Sequence, residues 1–510
     1  ADRRHALTRE ALPLGVTLAV VGAFSPAAAL VVLVAAGALV LGSAVAGEAF
    51  ATARAVSLAA VAGAVAAALL FPWSLDFLLP GSEWAPLVGV DLPAARGLGL
   101  GALLRFETGP LGAPPIGWAF LVAAVLPVVV GREWRLAWAT RCWVVTLACA
   151  GLAWVEGRDW LPVTLPAPDV LLVPAALALA LAVALGMAAF EIDLPGYRFG
   201  WRQAASVAAA VATVVGAVPV TFAALDGRWH QPDQDFAELL SWTEEQRGAG
   251  AFRMLWLGDP DALPLGGWQL AEGVGYATSD DGSPDVTDRW PPASSGTSGL
   301  LADAVNTALD GETTKLGHLL APAAVRYVIV PSRAAPLRER TRPLPPPPGL
   351  VPALDNQVDL RRVESDEALT VYENASWVPG RARLGVEATA ASKAATAAAL
   401  PGASFSGSEP VLDRRSSVVR FGGDVPLGSE VHLAQASSSR WELTVDGRRQ
   451  SRRDGFGWAN GWTVETSGQG RLRYRTSPLR WAAVLVELAI WVAVVRAWWR
   501  RRGAVEGDRR

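Results

Sequence analysis

Cysteine is nearly absent from the 510 residues: Cys142 and Cys149 are the only two, and both sit inside an apolar run. They lie seven apart and so share a helix face, where they read as small buried apolar residues. The polar stretch from about 227 to 480 holds none, so disulfides are excluded there and packing alone must hold it. Lysine is almost missing too. Of 45 Lys and Arg, lysine supplies only residues 315 and 393. The formal net charge of −3 gives no sign of a polyanion partner, and nucleic acid is not expected. Charged residues make up 18% against 51% hydrophobic, an imbalance concentrated in residues 1–226 and near the C-terminus, as in a membrane protein. The chain also lacks an initiator Met and a signal-peptide n-region with a cleavage site, as expected of an excerpt or of a chain targeted by its first spans.

What is present begins with 481–499, close to the ~20 residues that cross a bilayer, in which Glu487 and Arg496 are the only charges. Trp481 and Trp498-Trp499 suit the two interfacial belts, and Arg500, Arg501 and Arg502 mark a cytoplasmic end. Residues 11–47 would make a helix of about 55 Å, too long for one crossing, and Pro26 splits it into a hairpin of 11–24 and 27–47. Further spans are expected at 53–73, 116–131, 136–155, 169–190 and 202–225, giving about eight. Alternating them leaves 13 arginines inside (Arg3, Arg4, Arg9, Arg54, Arg132, Arg135, Arg198, Arg202, Arg500, Arg501, Arg502, Arg509 and Arg510) against Arg96, Arg105 and Arg158 outside. Both termini are therefore expected in the cytoplasm, with 227–480 extracytoplasmic, in a multi-pass plasma-membrane protein. The spans carry few ionisable groups, chiefly Arg141 and Glu487, which disfavours an ion-coupled transporter or flippase.

Seven spans make a membrane domain at 1–226. Its external loop 74–116 is too apolar for a linker and too broken by Pro and Gly for a span, so it reads as interfacial. Asp76, Glu83, Asp91 and Glu107 are its candidate base or metal-ligand carboxylates, and keeping the loop wet is the alternative use of them. Residues 227–383 read as an external α/β domain with a Rossmann-like core: a helix of about 234–247 capped by Asp233, strands at 252–257 and 325–330, a loop over 277–299, helices from 298 and 316, and a hairpin pairing 360–363 with 369–372. No Gly-x-Gly-x-x-Gly follows a strand, so nucleotide binding is not expected. Asp280, Asp281, Asp285 and Asp288 are acidic enough for Ca²⁺ but lack a known loop spacing, which favours a solvated loop.

After the polyproline spacer 344–348, residues 384–480 read as a β-sandwich or jelly-roll module. Short strands are expected at Ser417–Phe421, Glu430–Leu433, Trp441–Val445, Trp462–Val464 and Arg471–Tyr474, with a turn at Asp446-Gly447. Trp441, Trp458 and Trp462 are the candidate glycan-binding residues, as stacking platforms for a sugar ring. The alternative is that they form the sandwich core. No cofactor or metal follows from the residues.

Leu319-Leu-Ala-Pro-Ala-Ala-Val-Arg-Tyr-Val-Ile-Val330, Ala368–Asn374 and Trp377–Arg381 resemble the external domain of large bacterial polytopic glycosyltransferases. Trp441-Glu-Leu-Thr-Val-Asp-Gly447 and Gly455–Asn460 resemble the β-module beside their last membrane helix. The chain is most similar to the C-terminal membrane region of actinobacterial family 2 glycosyltransferases, with an external module like that of the YfhO-like membrane proteins. The resemblance implies a cell-envelope transferase acting on a polyprenyl-linked sugar or growing glycan. It also implies a cytoplasmic nucleotide-sugar domain with an Asp-x-Asp-type metal motif, and nothing like that domain is read in these residues. A non-catalytic scaffold or glycan-binding protein of envelope assembly is the alternative.

Overall fold

The computed structural model divides into two compact units, Ala1–His230 with Pro478–Arg510, and Gln231–Ser477. It describes all residues except 1, 49–51, 77–96, 109–111, 113–115, 159, 162–164, 195–199, 226, 228, 230–234, 266, 272, 286–287, 289–295, 336–342, 364 and 508–510.

In the first unit, Ala-, Leu- and Val-rich segments form helices, the conformation that satisfies every backbone group without water. Five are long and apolar enough to cross a membrane: Ala28–Val45, Glu133–Glu156, Pro168–Ile192, Trp201–Leu225 and Pro478–Trp499. The apolar helices Glu10–Phe24, Ala53–Leu69 and Ile116–Val130 are shorter. Seventeen residues of helix cover about 26 Å, just under the ~30 Å hydrocarbon core.

Small residues set how closely these helices pack. A Cβ on Gly42 would stand 2.9 Å from Arg141 Cα, so Ala28–Val45 and Glu133–Glu156 touch through bare backbone there. Beside that contact, buried Arg141 donates from Nε to Ser43 Oγ (2.9 Å) and pairs with Glu48 (2.5 Å). Arg135 grips Asp193 with two hydrogen bonds, Nε to Oδ2 at 2.7 Å and Nη2 to Oδ1 at 2.5 Å, tying Glu133–Glu156 to the end of Val173–Ile192. The last helix docks on the third, where Trp491 Nε1 donates to the Leu69 carbonyl at 2.9 Å.

In the second unit, a six-stranded sheet has the order β2-β3-β1-β4-β6-β5. Its strands are β1 (Arg253–Gly258), β2 (Trp268–Ala271), β3 (Val274–Asp280), β4 (Val325–Pro331), β5 (Leu360–Val363) and β6 (Leu369–Asn374). Only β1 and β4 run parallel; every other pair is antiparallel. The expected Rossmann-like alternation is thus confined to one central pair and its helical crossover, with a hairpin on each side. β4 is buried along its whole length. Val328 and Val330 pack with Leu301, Val305, Leu316 and Leu350 of the helices on one face, while Tyr327 and Ile329 meet Phe236, Leu240 and Trp256 on the other.

Local departures from the sequence reading have local causes. The helix expected at 234–247 is a run of turns followed by Thr243–Gln246 alone. Ser241 Oγ bonds the Glu238 carbonyl and Thr243 Oγ1 the Leu240 carbonyl, so hydroxyls occupy acceptors that a helix would use. Asp233, its expected cap, lies outside the described residues. Part of the loop expected at 277–299 is β3 instead, held by pairing with β1 and β2.

Ten strands form two five-stranded sheets: β7 (Arg381–Arg383), β8 (Glu409–Pro410), β9 (Arg414–Ser417), β10 (Arg420–Val425), β11 (Glu430–Ala436), β12 (Trp441–Val445), β13 (Arg448–Arg449), β14 (Ser451–Gly455), β15 (Ala459–Thr463) and β16 (Gly468–Tyr474). One sheet has the order β13-β12-β16-β10-β9, the other β14-β15-β11-β7-β8. Leu443, Val445 and Leu472 of the first meet Val431, Leu433 and Trp462 of the second in one apolar core. Within the strand expected at Ser417–Phe421, Val418 and Val419 are instead the turn between β9 and β10, with Val418 exposed. The turn after β12 falls where expected, with Asp446 and Gly447 at φ 45° and 79°, the signature of a tight hairpin. Buried His432 on β11 donates from Nε2 to the Pro322 carbonyl (2.9 Å), clasping the sandwich to the turn before β4.

Candidate functional site

The chain passes from one sheet of the sandwich to the other through a single residue, Gln450, between β13 and β14. Gln450 is locked there. Its backbone N–H reaches the Leu443 carbonyl (2.9 Å), its Nε2 reaches the Arg448 carbonyl (3.0 Å), and its Oε1 accepts from Glu465 N (3.0 Å). Beside this crossing opens a pocket of about 240 Å³ lined by Trp441, Arg449, Gln450, Ser451, Arg452 and Trp462.

The aromatic wall belongs to the core. Trp462 is fully buried and Trp441 is 8% exposed, set edge-on to Tyr474 at 5.2 Å. Neither offers a bare ring face for a sugar, but Trp462 Nε1–H is buried with no hydrogen-bond partner. An unmet buried donor costs about 1–3 kcal/mol, so a ligand acceptor that reached it would gain accordingly. The polar wall is rich in donors. Arg452 Nη1 lies within hydrogen-bond distance of Ser437 Oγ (2.8 Å), Asp454 Oδ1 (3.0 Å) and Asn460 Oδ1 (3.1 Å), and Arg449 pairs with Glu442 at 3.2 Å.

The nearby carboxylates are poor proton donors. Burial alone would raise the Glu442 carboxyl, but hydrogen bonds from Arg475 and Arg473 and the charge of Arg449 outweigh it and hold it below the ordinary value. Asp454 is likewise lowered, first by its hydrogen bond from Ser437 and then by Arg452. With both ionised at neutral pH, the arrangement suits binding of an oxygen-rich ligand rather than general acid catalysis.

No family model, curated protein or solved structure matches this chain.

The other sequence candidates are scattered. Trp458 is half-buried against the apolar clusters around Leu320 and Phe405, away from the pocket lining. Glu83 and Asp91 lie outside the described residues, and Asp76 ends the short helix Trp73–Asp76. Glu107 is engaged by Arg105 at 2.5 Å, and that guanidinium stacks over Trp118 at 5.0 Å. Asp280 pairs with Arg253, Asp281 caps Phe252 N, and Asp285 and Asp288 bond each other's backbone. Among the described residues no group of three or more His, Cys, Asp or Glu is placed to hold a metal.

One constellation escaped the sequence reading. His318 Nδ1 lies 2.6 Å from Asp359 Oδ2 and 3.1 Å from Ser376 Oγ. A hydrolytic triad divides the two ring nitrogens between acid and nucleophile, whereas here both partners crowd Nδ1 and Nε2 is 3.5 Å from the hydroxyl. Asp359 also accepts the His318 backbone N–H at 2.8 Å, so the group fastens the helix Leu316–Leu320 to the β5 edge. Arg449 to Arg452 carry no signal of their own in the sequence, and the change of sheet at Gln450 brings them beside Trp462.

Proposed function

We propose that the chain is the membrane and external portion of a cell-envelope glycosyltransferase acting on a polyprenyl-linked sugar or envelope glycan. It crosses the membrane eight times with both termini cytoplasmic and presents Gln231–Ser477 outside. The pocket at the sandwich edge carries this reading, because the guanidiniums of Arg449 and Arg452 and the unpartnered Trp462 Nε1–H line one recess and match an oxygen-rich ligand. Support for the topology comes from the five long apolar helices and the arginine bias of the short loops. The transferase assignment rests on the resemblance of Leu319–Val330 and Trp441–Gly447 to the polytopic family. Transfer breaks the anomeric carbon–oxygen bond to the polyprenyl phosphate, forms one to an acceptor hydroxyl, and passes the hydroxyl proton to a carboxylate of the 74–116 loop.

A second reading, a non-catalytic glycan-binding scaffold, is favoured by Glu107, whose carboxylate is already engaged by Arg105. Sugar transfer from a radiolabelled polyprenyl-phosphate sugar in proteoliposomes separates the two. Loss of transfer in Asp76→Ala, Glu83→Ala, Asp91→Ala or Glu107→Ala, with the variant still folded, supports the transferase. Absence of turnover with every donor, alongside retained glycan binding, leaves the scaffold.

A further inference from the structure

The chain's net charge of −3 conceals a strongly cationic surface. In the sheet β13-β12-β16-β10-β9, Leu443, Val445 and Leu472 point into the core, so their strand neighbours point out. The register sets Arg473 between Glu442 on β12 and Arg420 on β10, and Arg471 between Thr444 and Gly422. Arg449 joins Thr444 at one edge and Arg414 joins Gly422 at the other, while Arg475 continues the row beyond β16. Six arginines (Arg414, Arg420, Arg449, Arg471, Arg473 and Arg475) share this face with Glu442 and Asp424 of its strands, and Asp446 at the hairpin end accepts from Gln469 N. The excess is three positive charges.

Both strand carboxylates are already used. Glu442 is 5% exposed beneath Arg449, Arg473 and Arg475, each more than half exposed, and Asp424 accepts from Gln469. A single buried carboxylate holds three guanidiniums in place without neutralising them, leaving N–H donors directed at solvent. Along β16, Arg471 and Arg473 stand two residues and about 6.8 Å apart, and Arg475 follows two residues on, just past the strand. Arg449 belongs both to this face and to the pocket lining, so recess and cationic row are continuous.

We infer that this face and its edge pocket bind an anionic glycan, a polymer bearing carboxylate or phosphate groups, with the charged groups on the arginine row and a sugar unit in the recess. The inference rests on the glycan reading above for the kind of polymer and on the charge pattern for its sign. A flat lipid surface could meet the row but not also enter a recess of about 240 Å³ at its edge, whereas a flexible chain reaches both. Planar guanidiniums in fixed positions favour the two-oxygen geometry of carboxylate and phosphate.

The test uses the full chain in phosphatidylcholine nanodiscs. Binding is measured by calorimetry to polygalacturonate and to neutral dextran, and by co-flotation with phosphatidylglycerol vesicles. Polygalacturonate is expected to bind at least tenfold more tightly than dextran and to weaken as salt rises. The double variant Arg471→Gln, Arg475→Gln leaves Arg449 and Arg473 on Glu442. It is expected to lose about tenfold for polygalacturonate, which is about 1.4 kcal/mol, with dextran binding unchanged and the fold retained by circular dichroism. Equal binding of both glycans, insensitive to the variant, overturns the anionic selectivity and leaves the glycan reading standing. Failure of both glycans overturns the two together. Capture by the vesicles without polygalacturonate binding overturns the inference in favour of a lipid-facing sheet.

Discussion

Acidification should loosen the second unit, Gln231–Ser477, through one residue, His432. It is fully buried, donates from Nε2 to the Pro322 carbonyl, and has no partner at Nδ1. The Phe456 ring stands edge-on to it at 5.2 Å. Burial pushes its pKa down from 6.5 to about 4 against the opposing hydrogen bond to the Pro322 carbonyl, and the charges of Arg253 and Arg453 add to the lowering. A folded-state pKa below the unfolded value means the fold favours the neutral ring. The contribution is complete above pH 6.5 and is lost as pH falls toward 4. A drop of about 2.5 units corresponds to roughly 3 kcal/mol at pH 4, of which about 2 kcal/mol is already gone at pH 5. His432→Gln keeps an N–H donor for Pro322 but cannot titrate. Denaturant unfolding followed by tryptophan fluorescence at pH 7, 5 and 4 gives the comparison, and the other titrating groups cancel between the two proteins. Wild type should lose about 3 kcal/mol relative to the variant from pH 7 to 4. A difference that stays flat across that range refutes the reasoning.

Two further expectations concern the membrane unit. Arg135→Ala leaves the Asp193 carboxylate with the Arg132 backbone N–H but without its guanidinium, and should lower the melting temperature in detergent. The double variant with Asp193→Ala should recover much of that loss, and no recovery would show the pair is not coupled. Gly42→Val forces a side chain against Arg141 Cα and should destabilise by about 1–3 kcal/mol, read as a lower melting temperature in detergent, whereas Gly37→Ala, where a Cβ meets nothing within 4 Å, should not.

Legibility in the sequence followed how local each determinant is. The helices of the first unit were readable because apolar composition alone decides them, and the Ser25-Pro26 break because proline acts on its neighbour. Strand direction was not. Val325–Pro331 reads as a buried strand in any arrangement, and only pairing with β1 on one side and β6 on the other makes the sheet mixed. Ser417–Phe421 looked like one strand because Val418 and Val419 are β-branched, yet the pairing of β9 with β10, which shifts register at Arg420/Phe421, leaves those two valines at the turn. At the site, the residues left the tryptophans open between sugar-stacking platforms and sandwich core, and burial places Trp441 and Trp462 in the core. The arginine row was hidden by an overall charge that averages over the whole chain, since period-2 alternation sorts charge by face only once register is known.

The hydrogen bond from Trp491 to the Leu69 carbonyl spans 422 residues of chain. At 5–20 residues per second, a ribosome needs roughly 20–85 s to make the donor after the acceptor. During that interval the seat around Ala19, Ala66 and Leu69 has been synthesised but its final occupant has not. The membrane unit is therefore a structure completed last from its far end. A nascent chain stalled before Trp491 would leave this seat empty, open to lipid, to a chaperone or to the matching helix of a neighbouring chain.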